Sequence, residues 1–138
     1  MRSSISGEPG KGTAEFSFRF ELGGKALVRR SATTFPAQDG RPTLRHEDLL
    51  TLFSEGGSLK ALYLDSEGHV IHYLATPLPG GEGVVFQSEP SPGPAFRLTY
   101  RTRPGGAVWS AFAIAPPGPG AAFTTHVEGE SRRKSLTP

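Results

Sequence analysis

The chain has 138 residues, among them 15 lysines and arginines and 13 acidic residues, and its formal net charge is +2 at neutral pH. This length predicts one domain with a single hydrophobic core, and so small a charge gives no indication of a nucleic-acid binding surface. Cysteine is absent, which excludes disulfide scaffolds, thiolate metal sites and cysteine nucleophiles. The 18 glycines and 13 prolines predict many turns and little helix.

The two ends of the chain show no targeting signal. Residues 1–11 include no apolar stretch of the kind found in a secretory signal peptide, and no apolar run approaches the roughly 18 residues that a membrane-spanning helix needs. We therefore expect a soluble, cytoplasmic protein that does not bind membranes. Residues 1–11 are predicted to be a flexible segment, residues 12–130 the folded domain, and residues 131–138 a disordered basic tail.

Apolar and polar residues alternate along most of the chain, which is the pattern of half-buried β-strands. The first such segment, residues 12–20, places Phe16, Phe18 and Phe20 on one face. A Gly-Gly turn then leads into a second strand at residues 25–35, so these two segments are predicted to form a hairpin.

Residues 43–53 are the one ambiguous segment. They suit a helix capped by Thr43, with Leu49 and Leu50 on its apolar face. They suit a strand equally well, because apolar residues also occupy alternate positions, and the local pattern does not separate the two.

The remaining segments with strand character are separated by loops that contain almost all of the prolines. Proline cannot donate to a strand ladder, so this placement supports the strand boundaries. Short links between neighbours favour an all-β fold, a single antiparallel up-and-down barrel of about eight to ten strands, over the alternative of a β-sandwich. These later strands are predicted at residues 58–65, 69–76, 84–89, 95–102, 107–115 and 121–128.

Four short stretches resemble small bacterial lipocalin-like domains of the calycin superfamily: residues 45–49 (RHEDL), 63–71 (YLDSEGHVI), 96–100 (FRLTY) and 114–118 (IAPPG). The resemblance covers roughly residues 12–128. It implies an antiparallel barrel that encloses a cavity, in proteins mostly without an assigned activity. It also favours a strand over a helix at residues 43–53.

A polar cluster is predicted beside the hairpin turn of residues 66–68. If these residues form the turn, Asp65 and His69 face each other across two strands. A carboxylate beside an imidazole fixes its tautomer, as acid–base chemistry requires. Tyr63 and Tyr73 share their face and would supply phenolic hydroxyls next to apolar surface. Asp65 and His69 are thus candidate catalytic and ligand-binding residues; the alternative is a solvated pair that only stabilises the hairpin end.

Two further strands are expected to bring polar groups to the same interior. Arg29 and Arg30 are consecutive, so one of them faces inward, where it meets either a ligand carboxylate or a buried acid. We name Arg29 as the candidate, although the sequence leaves the choice between the two open. His46 joins the cluster if residues 43–53 form a strand.

No motif points to another chemistry. The histidine spacings match no zinc site, the serines lack a nucleophile elbow, and the Gly-Gly pairs precede no helix or lysine of a phosphate loop. We expect no metal and no cofactor. We also expect no nucleic-acid partner, since aromatic residues alternate away from the arginines on the predicted strands.

Three functions are compatible with these observations. The first is binding of a small apolar or amphipathic molecule inside the barrel. The second is a cofactor-free enzyme, an isomerase, cyclase or lyase, in which His69 or Asp65 moves a proton. The third is an interaction protein with a filled barrel, which forms a homodimer through the strand at residues 107–115 because that strand is apolar on both faces.

The first hypothesis commits to particular side chains. The candidate ligand-binding residues are Arg29, His46, Tyr63, Asp65, His69, Tyr73, Tyr100 and Phe18. The interior wall is predicted to consist of Phe16, Phe18, Phe20, Tyr63, Tyr73, Phe96, Tyr100 and Phe112.

Overall fold

A computed structural model describes residues 2–6, 13–37, 40 and 42–133 of the chain. These residues form ten β-strands and three short 3-10 turns, and no α-helix occurs among them. The strands are β1 (Arg2–Ser6), β2 (Thr13–Glu21), β3 (Ala26–Phe35), β4 (Leu44–Glu55), β5 (Ser58–Asp65), β6 (Val70–Pro77), β7 (Gly83–Ser88), β8 (Ala95–Thr102), β9 (Val108–Ala115) and β10 (Thr124–Arg133).

The strands form one antiparallel up-and-down sheet. From β2 to β10 each strand pairs with the next strand along the chain, so the sheet is a meander of nine strands that curls round on itself. Strand β1 pairs with β2 on one side and with β10 on the other, and it closes the sheet into a barrel. The predicted fold class is confirmed.

The ambiguous segment is strand β4. It pairs with β3 from Leu44 to Phe53 and with β5 from Asp48 to Glu55. A helix has one apolar face, whereas this segment has neighbours on both edges and alternates between the interior and the outer surface. Pairing on both sides therefore decides between two structures that local propensity leaves equal.

The two ends of the barrel carry different connections. In a meander, alternate connections lie at opposite ends. At one end the strands are joined by tight turns, and each of these turns contains a Gly-Gly pair. All eight of these glycines have positive φ angles, which glycine adopts without steric cost. At the other end lie the longer proline-containing loops and the turn of residues 66–68.

The hydrophobic core lies in the half of the barrel next to the Gly-Gly turns, which we call the packed half. Its aromatic rings meet edge to face, with centroids 6.1 Å apart for Tyr73 and Phe86 and 6.2 Å apart for Phe86 and Tyr100. Such contacts add to the free energy that burial of their area contributes. The fully buried cluster consists of Leu50, Ala61, Tyr73, Phe86 and Tyr100.

Three expectations about the ends of the chain and of strand β2 need correction. Residues 1–11 were expected to be flexible, but Arg2–Ser6 forms β1. The basic tail was expected from residue 131, but β10 continues to Arg133; residues 134–138 lie outside the described part. Phe20 was expected in the interior and is 70% exposed, because it lies at the end of β2, one residue before the strand ends and beyond the layers that fill the barrel.

The outer surface near β9 also departs from expectation. Phe123 stacks under the guanidinium of Arg97, 4.2 Å from ring centroid to Cζ, and Trp109 stacks similarly with Arg103 at 5.3 Å. The aromatic residues therefore do not all alternate away from the arginines. A β-bulge between Thr125 and Val127 lets the chain leading into β10 cover this face.

This covering bears on the homodimer hypothesis. The alanines of β9 are buried within the single chain: Ala111 is 9% exposed, Ala113 5% and Ala115 3%. Since Arg97 pairs with Ala113 across the strands and Phe123 lies against Arg97, the chain covers its own apolar strand. Homodimer formation remains a prediction, but this strand no longer requires it.

Candidate functional site

The half of the barrel away from the Gly-Gly turns is hollow. A cavity of about 570 Å³ lies inside the sheet and reaches the turn of residues 66–68. We call this the open half. The third hypothesis required side chains to fill the whole barrel, and the cavity shows that they do not. Its apolar wall is formed by Ala14, Phe16, Ile71, Phe96, Leu98, Phe112 and Ile114.

Arg29 lies at the junction of the two halves. On β3 it pairs with Phe18 on β2 and Leu50 on β4, so the sheet holds its side chain over the core. Only 7% of the residue is exposed. The guanidinium donates hydrogen bonds to the carboxylate of Asp48 and to the hydroxyl of Tyr100.

The environment of Arg29 keeps it charged. Burial alone would lower its pKa, but the neighbouring Tyr100 and Asp48 outweigh that effect and raise the pKa above its usual value. The inward arginine is therefore Arg29, while Arg30 is exposed on the outer surface. Of the two partners that the sequence allowed for an inward arginine, this contact is with a buried acid.

Two carboxylates stand directly opposite each other on the interior face. Asp48 of β4 pairs with Asp65 of β5, and like charges at such positions destabilise a sheet. The structure compensates each of them separately. Arg29 neutralises Asp48, and hydrogen-bond donors from the hairpin surround Asp65.

Asp65 accepts hydrogen bonds from four groups of its own hairpin. Its oxygens lie 3.0 Å from the hydroxyl of Tyr63, 2.9 Å from the backbone nitrogen of Glu67 and 3.0 Å from that of His69, and the ring nitrogen Nδ1 of His69 lies 2.9 Å away. Burial would raise the pKa of Asp65, but the donors of His69, Tyr63 and Glu67 lower it to about 2. The carboxylate is thus ionised near neutral pH and is a weak base.

His46 is held between the hairpin turn and the interior. Its Nδ1 atom donates to Glu67 Oε1 at 3.0 Å, and its Nε2 atom lies 3.4 Å from the hydroxyl of Tyr63 and 3.7 Å from Asp48 Oδ2. The contact with Glu67 fixes the ring so that Nε2 is directed to the cavity side. Glu67, a turn residue, thereby joins the site, which the strand pattern could not indicate.

The two histidines differ in what they can do. His69 pairs with Asp65 as predicted, but its side chain is 61% exposed, whereas that of Asp65 is 3% exposed. His46 is partly buried and has a carboxylate on one ring nitrogen and a phenol near the other. If protons are moved in this cavity, the geometry therefore favours His46 over the predicted His69 and Asp65.

The tyrosines are neutral hydrogen-bonding groups. Burial, followed by the charge of Asp48 and the hydrogen bond to Asp65, raises the pKa of Tyr63. Burial raises the pKa of Tyr73 as well, and the opposing effect of Arg29 is smaller. Both phenols therefore stay protonated at neutral pH. The Tyr63 hydroxyl donates its proton to Asp65 and can accept a hydrogen bond from a ligand.

The structure brings seven of the eight predicted ligand-binding residues to one cavity. The exception is Phe18, which does not line the cavity and packs behind it, with its ring 6.1 Å from that of Tyr100. The seven that line it are Arg29, His46, Tyr63, Asp65, His69, Tyr73 and Tyr100. This placement shows a shared location and leaves their role in binding a prediction.

The described part of the chain has neither a metal site nor a membrane-spanning helix. Among those residues, no group of three or more histidine, aspartate or glutamate side chains is arranged to hold a metal ion. No helix there has the length and apolar character to cross a membrane. Comparison of the chain with protein-family models, with curated proteins and with solved structures gives no match.

Proposed function

We propose that the protein binds a small molecule with an apolar body inside the open half of the barrel. One observation supports this most: a cavity of about 570 Å³ lies inside the sheet and opens beside a cluster of polar side chains. Ligand pockets typically have volumes of about 300 to 1,000 Å³, and they combine apolar walls with a few polar groups. The cavity has both properties.

The apolar wall would supply most of the binding free energy. Burial of apolar surface contributes roughly 25 cal/mol per Å², and part of this is offset by the cost of immobilising the ligand. Phe16, Ile71, Phe96, Phe112 and Ile114 provide such surface from four different strands. Because backbone pairing fixes these strands, little of the binding free energy is spent on ordering the protein.

The polar cluster would orient the ligand. The Nε2 atom of His46 lies 3.4 Å from the hydroxyl of Tyr63 and 3.7 Å from Asp48 Oδ2, and all three residues line the cavity. A ligand with a polar group at one end would place it here and its apolar body against the opposite wall.

A fluorescent probe tests the proposal. N-phenyl-1-naphthylamine is uncharged near neutral pH and emits strongly in apolar surroundings, so we expect saturable binding to the native protein with one site per chain. The variant Leu98→Trp fills the cavity from β8, and it should weaken binding at least about tenfold.

The neighbouring residue supplies a matched control. Thr99 points to the outer surface, since successive residues of a strand face opposite sides, and Thr99→Trp should bind the probe as the unchanged protein does. Circular dichroism checks that both variants keep the β-fold. Equal binding by Leu98→Trp and the unchanged protein would contradict the proposal.

A further inference from the structure

The side chains that line the cavity include more acidic groups than lysines and arginines. Arg29 is the only lysine or arginine among the lining residues in the described part of the chain. Three carboxylates line the same cavity: those of Asp48, Asp65 and Glu67. Among the described residues, acids therefore outnumber lysine and arginine in the interior, although the whole chain carries a formal charge of +2.

The single guanidinium is not free to bind an anion. Two of its nitrogens donate to Asp48 and Tyr100. Its Nε atom is buried without a partner in the described structure. The charge is already neutralised by Asp48, and only 9% of the side chain is exposed, so little of the group is open to a ligand. A carboxylate or phosphate on a ligand would thus lose its hydration and find no cation in exchange.

An acceptor, by contrast, is free at the same place. The side chain of Asp48 is only 10% exposed and lines the cavity. Its Oδ1 atom accepts from Arg29, whereas its Oδ2 atom has no hydrogen bond to any described residue and lies 3.7 Å from His46 Nε2. A carboxylate oxygen that has no donor within the protein and lies in the wall of a cavity can accept a hydrogen bond from a donor on the ligand.

From this excess of acceptors we infer that the ligand is an amine with an apolar body, whose protonated nitrogen donates to Asp48 Oδ2. The inference rests on the proposed function and narrows it to one chemical class. Tyr63 and His46 flank the position of the nitrogen, and the carboxylate of Glu67 adds a field that attracts a cation and repels an anion. Aromatic walls suit such a cation, because its charge is attracted by the face of a ring.

Displacement of the naphthylamine probe by three matched chains tests the inference. Decylamine, decanol and decanoate share one apolar body and differ in charge, and each is used below the concentration at which it forms micelles. At pH 7 we expect decylamine to displace the probe at a concentration at least about tenfold lower than decanoate, with decanol between them. Equal displacement by all three, or stronger displacement by decanoate, overturns the inference.

A variant of the carboxylate at the cavity mouth relates the preference to the charges. Asp48→Asn leaves Arg29 without its buried partner and is destabilising, so the exposed Glu67 is changed instead. Glu67→Gln should reduce the preference for decylamine over decanoate to about threefold. Glu82→Gln, which is exposed at the opposite end of the barrel, should leave it unchanged.

The outcomes separate the two proposals. If the probe does not bind the native protein, both are wrong. If the probe binds and the cavity-filling variant excludes it, but the amine has no advantage, the binding function stands and the amine class is wrong. An amine preference that Glu67→Gln leaves unchanged would also contradict the inference, because the charges that set it would lie elsewhere.

Discussion

The two halves of the barrel use the same sheet for different purposes. In the packed half, Leu50, Tyr73 and Phe86 are nearly inaccessible and the strands end in tight Gly-Gly turns. In the open half, the same strands carry Asp48, Asp65 and a cavity. Strand β4, for example, contributes Leu50 to the core and Asp48 to the cavity, so one sheet forms a packed core beside a hollow, charged interior.

The sharpest test of this division compares a leucine with an isoleucine. Leu50→Ala removes a side chain that is 2% exposed in the packed half, and we expect it to lower the free energy of unfolding by about 3 to 4 kcal/mol. Ile114→Ala, in the wall of the existing cavity, should cost about 1 kcal/mol. Urea unfolding measures both, and similar losses would show that the halves do not differ in packing.

The ion pair at the junction gives the next largest effect. Asp48→Asn leaves the guanidinium of Arg29 buried beside an uncharged amide, and we expect a loss of about 3 kcal/mol. Thermal unfolding at pH 7 measures it. The exposed pair of Lys60 and Glu55 serves as the control, since Glu55→Gln should change stability by less than about 0.5 kcal/mol.

Two glycines at opposite ends of the barrel test how closely the neighbouring backbone packs against them. A Cβ atom added at Gly83 would lie 1.9 Å from the carbonyl oxygen of Tyr100, so Gly83→Ala must move β7 away from β8. We expect a loss of about 2 kcal/mol. Gly93→Ala, in a loop of the open half where the added atom meets only the Ser91 hydroxyl at 3.9 Å, should be neutral or slightly stabilising.

The smallest predicted effect depends on pH. The pKa of Asp65 is about 2 in the folded protein and near 3.8 when unperturbed. Its ionised form therefore stabilises the fold fully above about pH 4, and this contribution is lost as the pH falls towards 2. Asp65→Asn should cost about 1 kcal/mol at pH 7, after allowance for screening at the cavity mouth. At pH 3 the difference from the unchanged protein should be smaller, and a difference that grows with acidity would contradict the assignment.

Much of the fold could be predicted because the alternation of apolar residues and the positions of glycine and proline indicate the same strands. Alternating residues gave the strands, and glycine and proline marked their ends. The same register argument placed Asp65 opposite His69 and predicted one inward arginine. Strand β4 could not be assigned from its own residues, since its structure depends on pairing with β3 and β5.

Other features depend on contacts that no local pattern contains. Strand β1 exists through its pairing with β2 and β10, and its sequence has no apolar alternation. The exposure of Phe20 depends on where the layers of the core stop. The roles of Glu67 and Asp48 follow from side-chain contacts between different strands, so their positions alone could not reveal that the cavity is acidic.

The position of Trp109 has a consequence for spectroscopy. The only tryptophan of the chain lies on the outside of the wall, stacked with Arg103 near a Gly-Gly turn. Its emission should therefore follow the loss of tertiary structure and stay nearly constant when the interior is occupied. Unchanged tryptophan emission during a ligand titration would follow from the position of Trp109 outside the cavity, and it would not show whether a ligand is bound.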